Sequence, residues 1–269
     1  MAQENVKVLW NRKVAPGYMH MGLSGRTACA DAQPGQFVML RTDEAKDPLL
    51  RRPFSIHQVI EENGKRVGLE LLYKVVGPVT ERMARMEKDQ DLDMVAPLGQ
   101  GFRLPEGAKN IMIVGGGIGV APVVFLASWL CAQGVDPARC RVLIGGRSRD
   151  DVLCADHFIG LGMTVMTATD DGSLGRTGRV TDLVAEALDK ENPDVIYACG
   201  PHPMLTVLAE LAQAREVTCQ LSVETLMACG ICACMGCAVA PKEDDGTYRH
   251  VCKNGPVFDA RDLKWNDHA

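Results

Sequence analysis

The chain has 269 residues, 46% hydrophobic and 23% charged, a composition that excludes disordered and fibrous classes and makes two domains the default expectation. Its 29 basic and 34 acidic residues leave a net charge of −5 with no long basic run, so nothing in it provides a nucleic-acid-binding face. With 5% aromatic residues against 27 glycines, the core must be aliphatic and the backbone must turn tightly at many points.

The N-terminal segment MAQENVKVLW lacks the basic, apolar and small-residue succession of a secretory leader, which gives the expectation of a cytoplasmic protein. From residue 6 to about residue 102 the chain runs as short apolar stretches, FVML, FSIHQVI, VGLELLYKVV and DLDMVAPLG, separated by turns such as Pro34-Gly35 and Asn63-Gly64. That pattern predicts an antiparallel barrel or sandwich, with one helix near residues 79–86. After the turn-rich GQGFRLPEGAKN the period changes, and strands (IMIVG, RVLIGG, MTVMTAT, VIYACG) alternate with helices (PVVFLASWLCAQG, DVLCADHFIGLG, RVTDLVAEALDK, PMLTVLAELAQA). Alternation of this kind predicts a parallel, doubly wound sheet. Residues 110–135 carry no charge, but glycines and Pro122 break the run into a strand, a loop and a buried helix, and no membrane span is expected. Beyond about Cys219 the alternation stops. The fold expected is an antiparallel β-barrel domain (1–103), an α/β doubly wound nucleotide-binding domain (104–221) and a small C-terminal iron–sulfur domain (222–269).

Five of the eleven cysteines fall between positions 229 and 252, a density that points to metal binding in a cytosolic protein. Cys229, Cys234, Cys237 and Cys252 form C-x4-C-x2-C-x14-C, whose first three members have the spacing of plant-type [2Fe-2S] sites. Gly230, Ala233, Gly236 and Ala238 are small enough to let backbone N–H groups reach the sulfurs. Structural zinc is the competing reading, disfavoured because Cys229-x2-Cys232 and Cys234-x2-Cys237 stand one residue apart. Cys232 is read as a packed thiol. The stretch PKEDDGTYRH, residues 241–250, looks like a solvated turn that returns Cys252 to the others.

GGGIGVAP follows a strand and opens a helix, where Gly115, Gly116, Gly117 and Gly119, with Ile118, let the backbone approach a pyrophosphate. Cys199-Gly200-Pro201 ends a later strand of the same sheet, on the edge that forms a ligand crevice. Tight turns alone are the alternative for both loops. Arg52-Pro53-Phe54-Ser55 combines a guanidinium suited to a diphosphate with a hydroxyl, although a surface Arg beside a turn is commoner. Leu72, Tyr73 and Lys74, with Gly77 to Thr80, offer an aromatic face, backbone groups and a helix start for a flavin and its phosphates.

In this order, RPFS, GGGIGVAP, CGPHPM and the cysteine pattern resemble the electron-transfer subunits of NAD-linked dihydroorotate dehydrogenase B, over essentially the whole chain. The resemblance implies a ferredoxin-reductase-like fold with FAD on the barrel, NAD(H) on the second domain and one [2Fe-2S] cluster. It carries over Arg52, Pro53, Phe54, Ser55, Leu72, Tyr73, Lys74, Val79 and Thr80 as FAD positions. It also implies a redox partner subunit, a flavin-containing dihydroorotate dehydrogenase catalytic subunit of pyrimidine biosynthesis. The chain departs from the family where Gly77-Pro78-Val79-Thr80 replaces G-x-G-T and where Cys232 replaces a common Gly. Flavin and iron–sulfur subunits of cytosolic hydrogenases and of NADH-dependent ferredoxin:NADP reductases carry nearly the same motifs.

The cofactor set has its own logic. A nicotinamide gives two electrons as hydride and an iron–sulfur cluster accepts one, so a flavin must stand between them. Ser55 is expected to tune the flavin by a hydrogen bond, and no catalytic acid or base is assigned. His20, His57, His157, His202, His250 and His268 show no ligand spacing and read as ordinary surface or core residues, with His57 notable for its distance of two residues from Ser55. Arg147 and Arg149 could accept a 2′-phosphate, but Asp150 and Asp151 oppose it, so NADH is the expected donor. A redox-sensing module without turnover and a zinc-stabilised interaction protein are the rivals from other classes.

Overall fold

The computed structural model describes residues 1–25, 27–42, 49–243 and 246–265. His268, and Asp244 and Asp245 of the expected solvated turn, lie outside the described residues.

The first half folds as seven antiparallel strands in the spatial order Arg52–Ser55, Phe37–Arg41, Asp91–Leu98, Ala2–Ala15, Tyr18–Ser24, Lys65–Lys74, Gln58–Glu62. The long hairpin Ala2–Ala15/Tyr18–Ser24 turns on Gly17 at φ +76°, a conformation that favours glycine. FSIHQVI, read as one stretch, is two strands broken at Ile56-His57. Ile56 is fully buried and closes the barrel's aliphatic core with Val8, Leu23, Leu40, Leu71 and Met94. The helix expected near residues 79–86 is Pro78–Ala84, and a second short helix, Thr27–Ala30, also occurs in this half.

The second half is a sheet in the order Arg176–Thr177, Thr164–Thr169, Cys140–Gly146, Ile111–Gly116, Val195–Cys199, Thr218–Ser222, Val257–Asp259. All its pairings are parallel except the last. The central strands are buried on both faces, as parallel strands between helix layers must be. Ile111 and Ile113 pack toward the helices Val120–Ala132 and Ala155–Gly160, while Met112 and Val114 pack toward Val180–Lys190 and His202–Ala214. Sequence periodicity did not reveal Thr218–Ser222, whose alternating polar residues disguise a sixth parallel strand, nor the two-residue strand Arg176–Thr177. Val257–Asp259, which comes from beyond the expected boundary at 221/222, joins this sheet antiparallel to it.

Helix Val120–Ala132 is apolar on nearly every face because it lies between two cores. Val123, Leu126 and Leu130 pack on the parallel sheet, and Phe125 enters the barrel core. No described helix is long and apolar enough to cross a membrane. The cysteine-rich segment packs on the barrel through Val223, Cys237, Val239, Val251 and Phe258, which contact Phe37, Met39 and Leu98.

One ionic knot braces the barrel next to Arg52. The Asp93 carboxylate takes the Arg51 guanidinium and Gln3 Nε2 at 2.7 Å, with Arg41 at 3.7 Å. The Arg51 hydrogen bond holds the Asp93 carboxyl below its usual pKa, against the opposing effect of burial. A depressed folded-state pKa stabilises the fold above the ordinary carboxylate value, and that contribution is lost as pH falls through the folded value. Asp93→Asn should therefore lower stability by about 1–3 kcal/mol at neutral pH, with a gap to the parent that closes below pH ~4. Urea unfolding at both pH values measures this, and a gap that persists in acid would exclude the ionic account.

Candidate functional site

The carboxyl ends of the parallel strands and the barrel wall enclose a cavity of about 550 Å³, in the range of small-molecule sites. Gly116, Gly117, Ile118 and Gly119 line one side, and Gly200 and Pro201 line the other. The two expected loops therefore meet. Gly115 and Cys199 stand behind the lining as paired strand residues, and Cys199 is 1% exposed, so it contributes backbone and not thiol. A side chain at Gly119 would lie 2.3 Å from the Cys199 carbonyl oxygen, and one at Gly116 would lie 2.6 Å from Met204 Sδ. Glycine is thus what allows the two loops to come together. The turn Gly117–Gly119 leads directly into the thirteen-residue helix Val120–Ala132, the arrangement that suits a phosphate-bearing ligand.

The barrel contributes Tyr18 and Lys74 to the same cavity. Lys74 Nζ lies 2.9 Å from the Tyr18 hydroxyl and 3.1 Å from Asp151 Oδ1, and the Tyr18 hydroxyl donates to the same carboxylate. Burial opposes ionisation of Asp151, but the Tyr18 and Lys74 contacts outweigh it and lower its pKa. Asp151, expected to repel a 2′-phosphate, is instead neutralised in a bridge between the two halves. Arg149 is turned away, its guanidinium on the Ser173 carbonyl at 3.1 Å. Arg147, Asp170 and Arg179 are the charged groups left to meet a nucleotide. Glu224 also lines the cavity, and desolvation raises its carboxyl pKa although part of the side chain stays open to solvent. Sequence reasoning missed Asp170, Arg179 and Glu224, since each sits on a loop whose neighbours appear only in the fold. A larger groove of about 1050 Å³ lies between helix His202–Ala214 and the C-terminal segment, but opposite charges interleave along it and no glycine loop enters it.

The FAD positions expected on the barrel also converge. Strand Arg52–Ser55 pairs on one side only, with Phe37–Arg41, and pairing along the outer edge of Lys65–Lys74 ends at Gln58↔Glu70. Two open backbone edges thus face a gap, across which the Phe54 and Tyr73 rings meet edge-on at 5.9 Å. Arg51 is taken by Asp93, whereas among the described residues Arg52 bonds only to the Leu50 and Arg51 carbonyls. A half-buried guanidinium that meets no carboxylate among the described residues, beside open edges, fits a flavin with its diphosphate. The aromatic face expected of Tyr73 is turned inward, however: the ring is 2% exposed and its hydroxyl donates to Asn11 at 3.2 Å. Leu72 is also buried. Thr80 Oγ1 accepts from the Val76 and Gly77 amides at 2.9 and 3.1 Å, capping its own helix, and Val79 is buried.

In the cysteine loop the amides of Ile231, Ala233 and Cys234 point at Cys229 Sγ from 3.3–3.4 Å, and the Cys232 amide reaches Cys252 Sγ at 3.1 Å. Burial pushes the Cys229 thiol up, but these amides outweigh it and bring it down to about 7. Cys237 and Cys252 sulfurs lie 3.2 Å apart. Amide donors on the Cys229 and Cys252 sulfurs, with Cys237 beside Cys252, suit an iron–sulfur cluster. Cys232 has φ +62°, a conformation that favours glycine, and its side chain packs on the apolar cluster around Cys237. Gly230, at φ +72°, comes so close to Met39 that a Cβ would lie 2.5 Å from its Cγ.

The barrel, the glycine-lined crevice and the cysteine loop define an NAD-linked oxidoreductase with the ferredoxin-reductase fold. Residues 224–264 match the family described as the iron–sulfur cluster binding domain of dihydroorotate dehydrogenase B, and residues 113–210 match the oxidoreductase NAD-binding domain. Proteins named dihydroorotate dehydrogenase B (NAD(+)), electron transfer subunit, share 38% identity in Caldanaerobacter subterraneus, covering 96% of both chains, and 39% in Listeria welshimeri, covering 98% of this chain and 99% of that one. The chain belongs to this family of electron transfer subunits. Among solved structures, an NADH-dependent reduced ferredoxin-NADP oxidoreductase superposes with TM-score 0.83 at 26% identity, over 97% of this chain and 90% of that one. A Neisseria gonorrhoeae ferredoxin NADP+ reductase with bound FAD and NADP shares the fold at 16% identity and TM-score 0.67, over 80% and 92%. FAD, a [2Fe-2S] cluster and NAD(H) are the cofactors that go with this fold and family.

Gly119→Ala tests the crevice. The added methyl meets backbone, which cannot swing aside, so flavin reduction by NADH should slow at least ~10-fold and stability should fall by about 1–3 kcal/mol. Stopped-flow absorbance gives the rate, the visible spectrum should stay unchanged, and parental rates would show that this close approach is dispensable.

Proposed function

We propose that this chain carries electrons from NADH to a flavin-containing dihydroorotate dehydrogenase catalytic subunit in the cytoplasm, as part of pyrimidine biosynthesis. Bound FAD would supply the exchange between the two-electron chemistry of a nicotinamide and the one-electron chemistry of an iron–sulfur cluster. Arg52, Pro53, Phe54 and Ser55, with Leu72, Tyr73, Lys74, Gly77, Val79 and Thr80, hold the flavin; Tyr73 and Leu72 do so as buried backing for the open strand edge. Gly115 to Gly119 and Cys199 to Pro201 hold the dinucleotide, and Cys229, Cys234, Cys237 and Cys252 hold the iron. The boundaries near 103 and 221 divide these tasks, with Val257–Asp259 lent back to the nucleotide-binding sheet.

The observation that carries this reading is the seating of the cysteine loop on Met39. Gly230 abuts Met39, and Met39 is the register partner of Pro53 in the strand that bears Arg52 and Ser55. The cysteine loop thus packs on the strand that pairs with Arg52–Ser55, which supports a short path between the two proposed sites. Greater identity to the dihydroorotate dehydrogenase B subunits than to the ferredoxin-NADP oxidoreductase, 38% against 26%, favours the first as the partner system.

Cys234→Ser should lose the cluster while flavin reduction by NADH persists, and Cys232→Ala should keep about two irons per chain. Iron and acid-labile sulfide analysis decides, and zinc without sulfide in the parent protein would overturn the assignment. In a side-by-side assay with NADH and orotate, the chain combined with its catalytic partner should reduce orotate and the isolated chain should not. Orotate reduction by the isolated chain would refute the division of labour. NADH should also reduce the flavin faster than NADPH, in line with the NAD(+)-linked relatives and against the pull of Arg147 and Arg179 in the cavity; the reverse order would refute that choice.

A further inference from the structure

Three metal-binding side chains that sequence spacing keeps apart converge where the barrel meets helix Val120–Ala132. His20 stands on Tyr18–Ser24, Glu70 on Lys65–Lys74, and His57 in the connection between Arg52–Ser55 and Gln58–Glu62. One ligating atom of each lies within 4.8 Å of the other two. His20 Nε2 and Glu70 Oε2 are 2.8 Å apart, and the two imidazoles stand edge to face with centroids at 5.3 Å. His57 is only 7% exposed, whereas the His20 and Glu70 side chains keep 27% and 22% of their surface open. The cluster therefore has a buried floor and an accessible mouth.

The floor is oriented. His57 Nδ1 lies 3.0 Å from the Ala121 carbonyl oxygen, which can only accept, so Nδ1 carries the ring proton and Nε2 keeps its lone pair. A backbone carbonyl that fixes the tautomer in this way is the usual outer partner of a metal-bound histidine. The His57 amide also donates to the Glu70 carbonyl at 2.9 Å, which ties the two residues together. His157 flanks the cluster, its Nε2 3.1 Å from Ser128 Oγ, and Gln58 Nε2 donates to that same hydroxyl at 2.8 Å.

We propose that His20, His57 and Glu70 bind a divalent transition ion of the zinc class at this junction, separate from the cysteine site. Two imidazoles and one carboxylate suit zinc, whereas calcium and magnesium call for oxygen cages. Bonds of about 2.0–2.2 Å to zinc place tetrahedral ligands about 3.3 Å apart, so the His20–Glu70 pair, now at 2.8 Å, opens by about 0.5 Å and the other pairs, all within 4.8 Å, close by at most about 1.5 Å. The ion replaces the hydrogen bond between His20 and Glu70: the proton on His20 Nε2 moves to Nδ1 or to solvent, and Nε2 and the carboxylate both turn to the metal. Because the His57 ring is anchored on Ala121 of the nucleotide-binding half, the bound ion braces the two halves against each other. Neither flavin nor cluster takes part, so this site stands or falls independently of the proposed electron path.

The holoprotein, freed of loosely bound metal, is titrated with zinc chloride by calorimetry, and its metal content is measured after gel filtration, beside His20→Ala and Glu70→Gln. Both substitutions lie at the open rim, and circular dichroism checks each fold. The parent should retain about one zinc ion per chain more than either variant, with Kd at least ~10-fold lower and a zinc-dependent rise in Tm that the variants lack. Zinc held by cysteines would be equal in all three proteins, and the iron–sulfur absorption reports any loss of cluster. Equal zinc content and equal thermal shifts in parent and variants would overturn the proposal.

Discussion

The approach of Gly230 to Met39 determines how the rest of the molecule can be arranged. A loop that must wrap a metal cluster has few apolar side chains of its own to bury, and this one is stabilised by lying on the barrel. The contact works only without a side chain at residue 230, and only with the positive φ that glycine tolerates. Once the loop is seated, Cys237 and Cys252 are buried against Phe37, Met39 and Leu98, and the chain that follows can return as Val257–Asp259 to the edge of the parallel sheet. The C-terminal segment is therefore packed on both halves and does not hang from either.

Helix Val120–Ala132 plays the corresponding role on the other side. Its N-terminal end faces the dinucleotide crevice, its sheet-facing residues complete one core, and Phe125 belongs to the other. Fully burying a side chain of this size contributes about 1.5–3 kcal/mol, so parting the halves would forfeit a substantial fraction of the stability of a domain. The Tyr18–Lys74–Asp151 bridge adds polar specificity at the mouth of the same interface. Crevice and flavin gap are thus held at a fixed mutual position by packing, with one charged cluster setting the register.

Motifs with strong local constraints were legible from the sequence. The cysteine spacing, the glycine loop and Cys199-Gly200-Pro201 each need particular residues at fixed offsets, and the structure brings the loops together where strand order requires. Segments whose role is set by distant neighbours were not legible. Thr218–Ser222 lacks a continuous apolar run, and Val257–Asp259 is too short to register as a strand. Tyr73 was expected to offer an aromatic face, and a strand reading does not say which way a ring turns; in the fold the ring packs in the barrel core. Asp151 read as a nucleotide-facing charge until the fold brought Lys74 and Tyr18 to it, and Asp170, Arg179 and Glu224 gain their place in the crevice only when three loops meet.

The cysteine loop is asymmetric in a way that bears on electron flow. Cys237 and Cys252 are 2% and 4% exposed and lie on the barrel side, whereas Cys234 is exposed, with Ile231 and Met235 beside it in sequence also open to solvent. The buried pair is shielded from water on Phe37–Arg41, the strand that pairs with Arg52–Ser55, where a low dielectric strengthens the contact of the Cys232 amide with the Cys252 sulfur. The exposed rim is apolar and nearly free of charged side chains, so another protein can come close to it without desolvating ions. A single loop therefore combines a closed inner face with an open outer one. This geometry suits a relay that receives electrons from within its own chain and releases them outward.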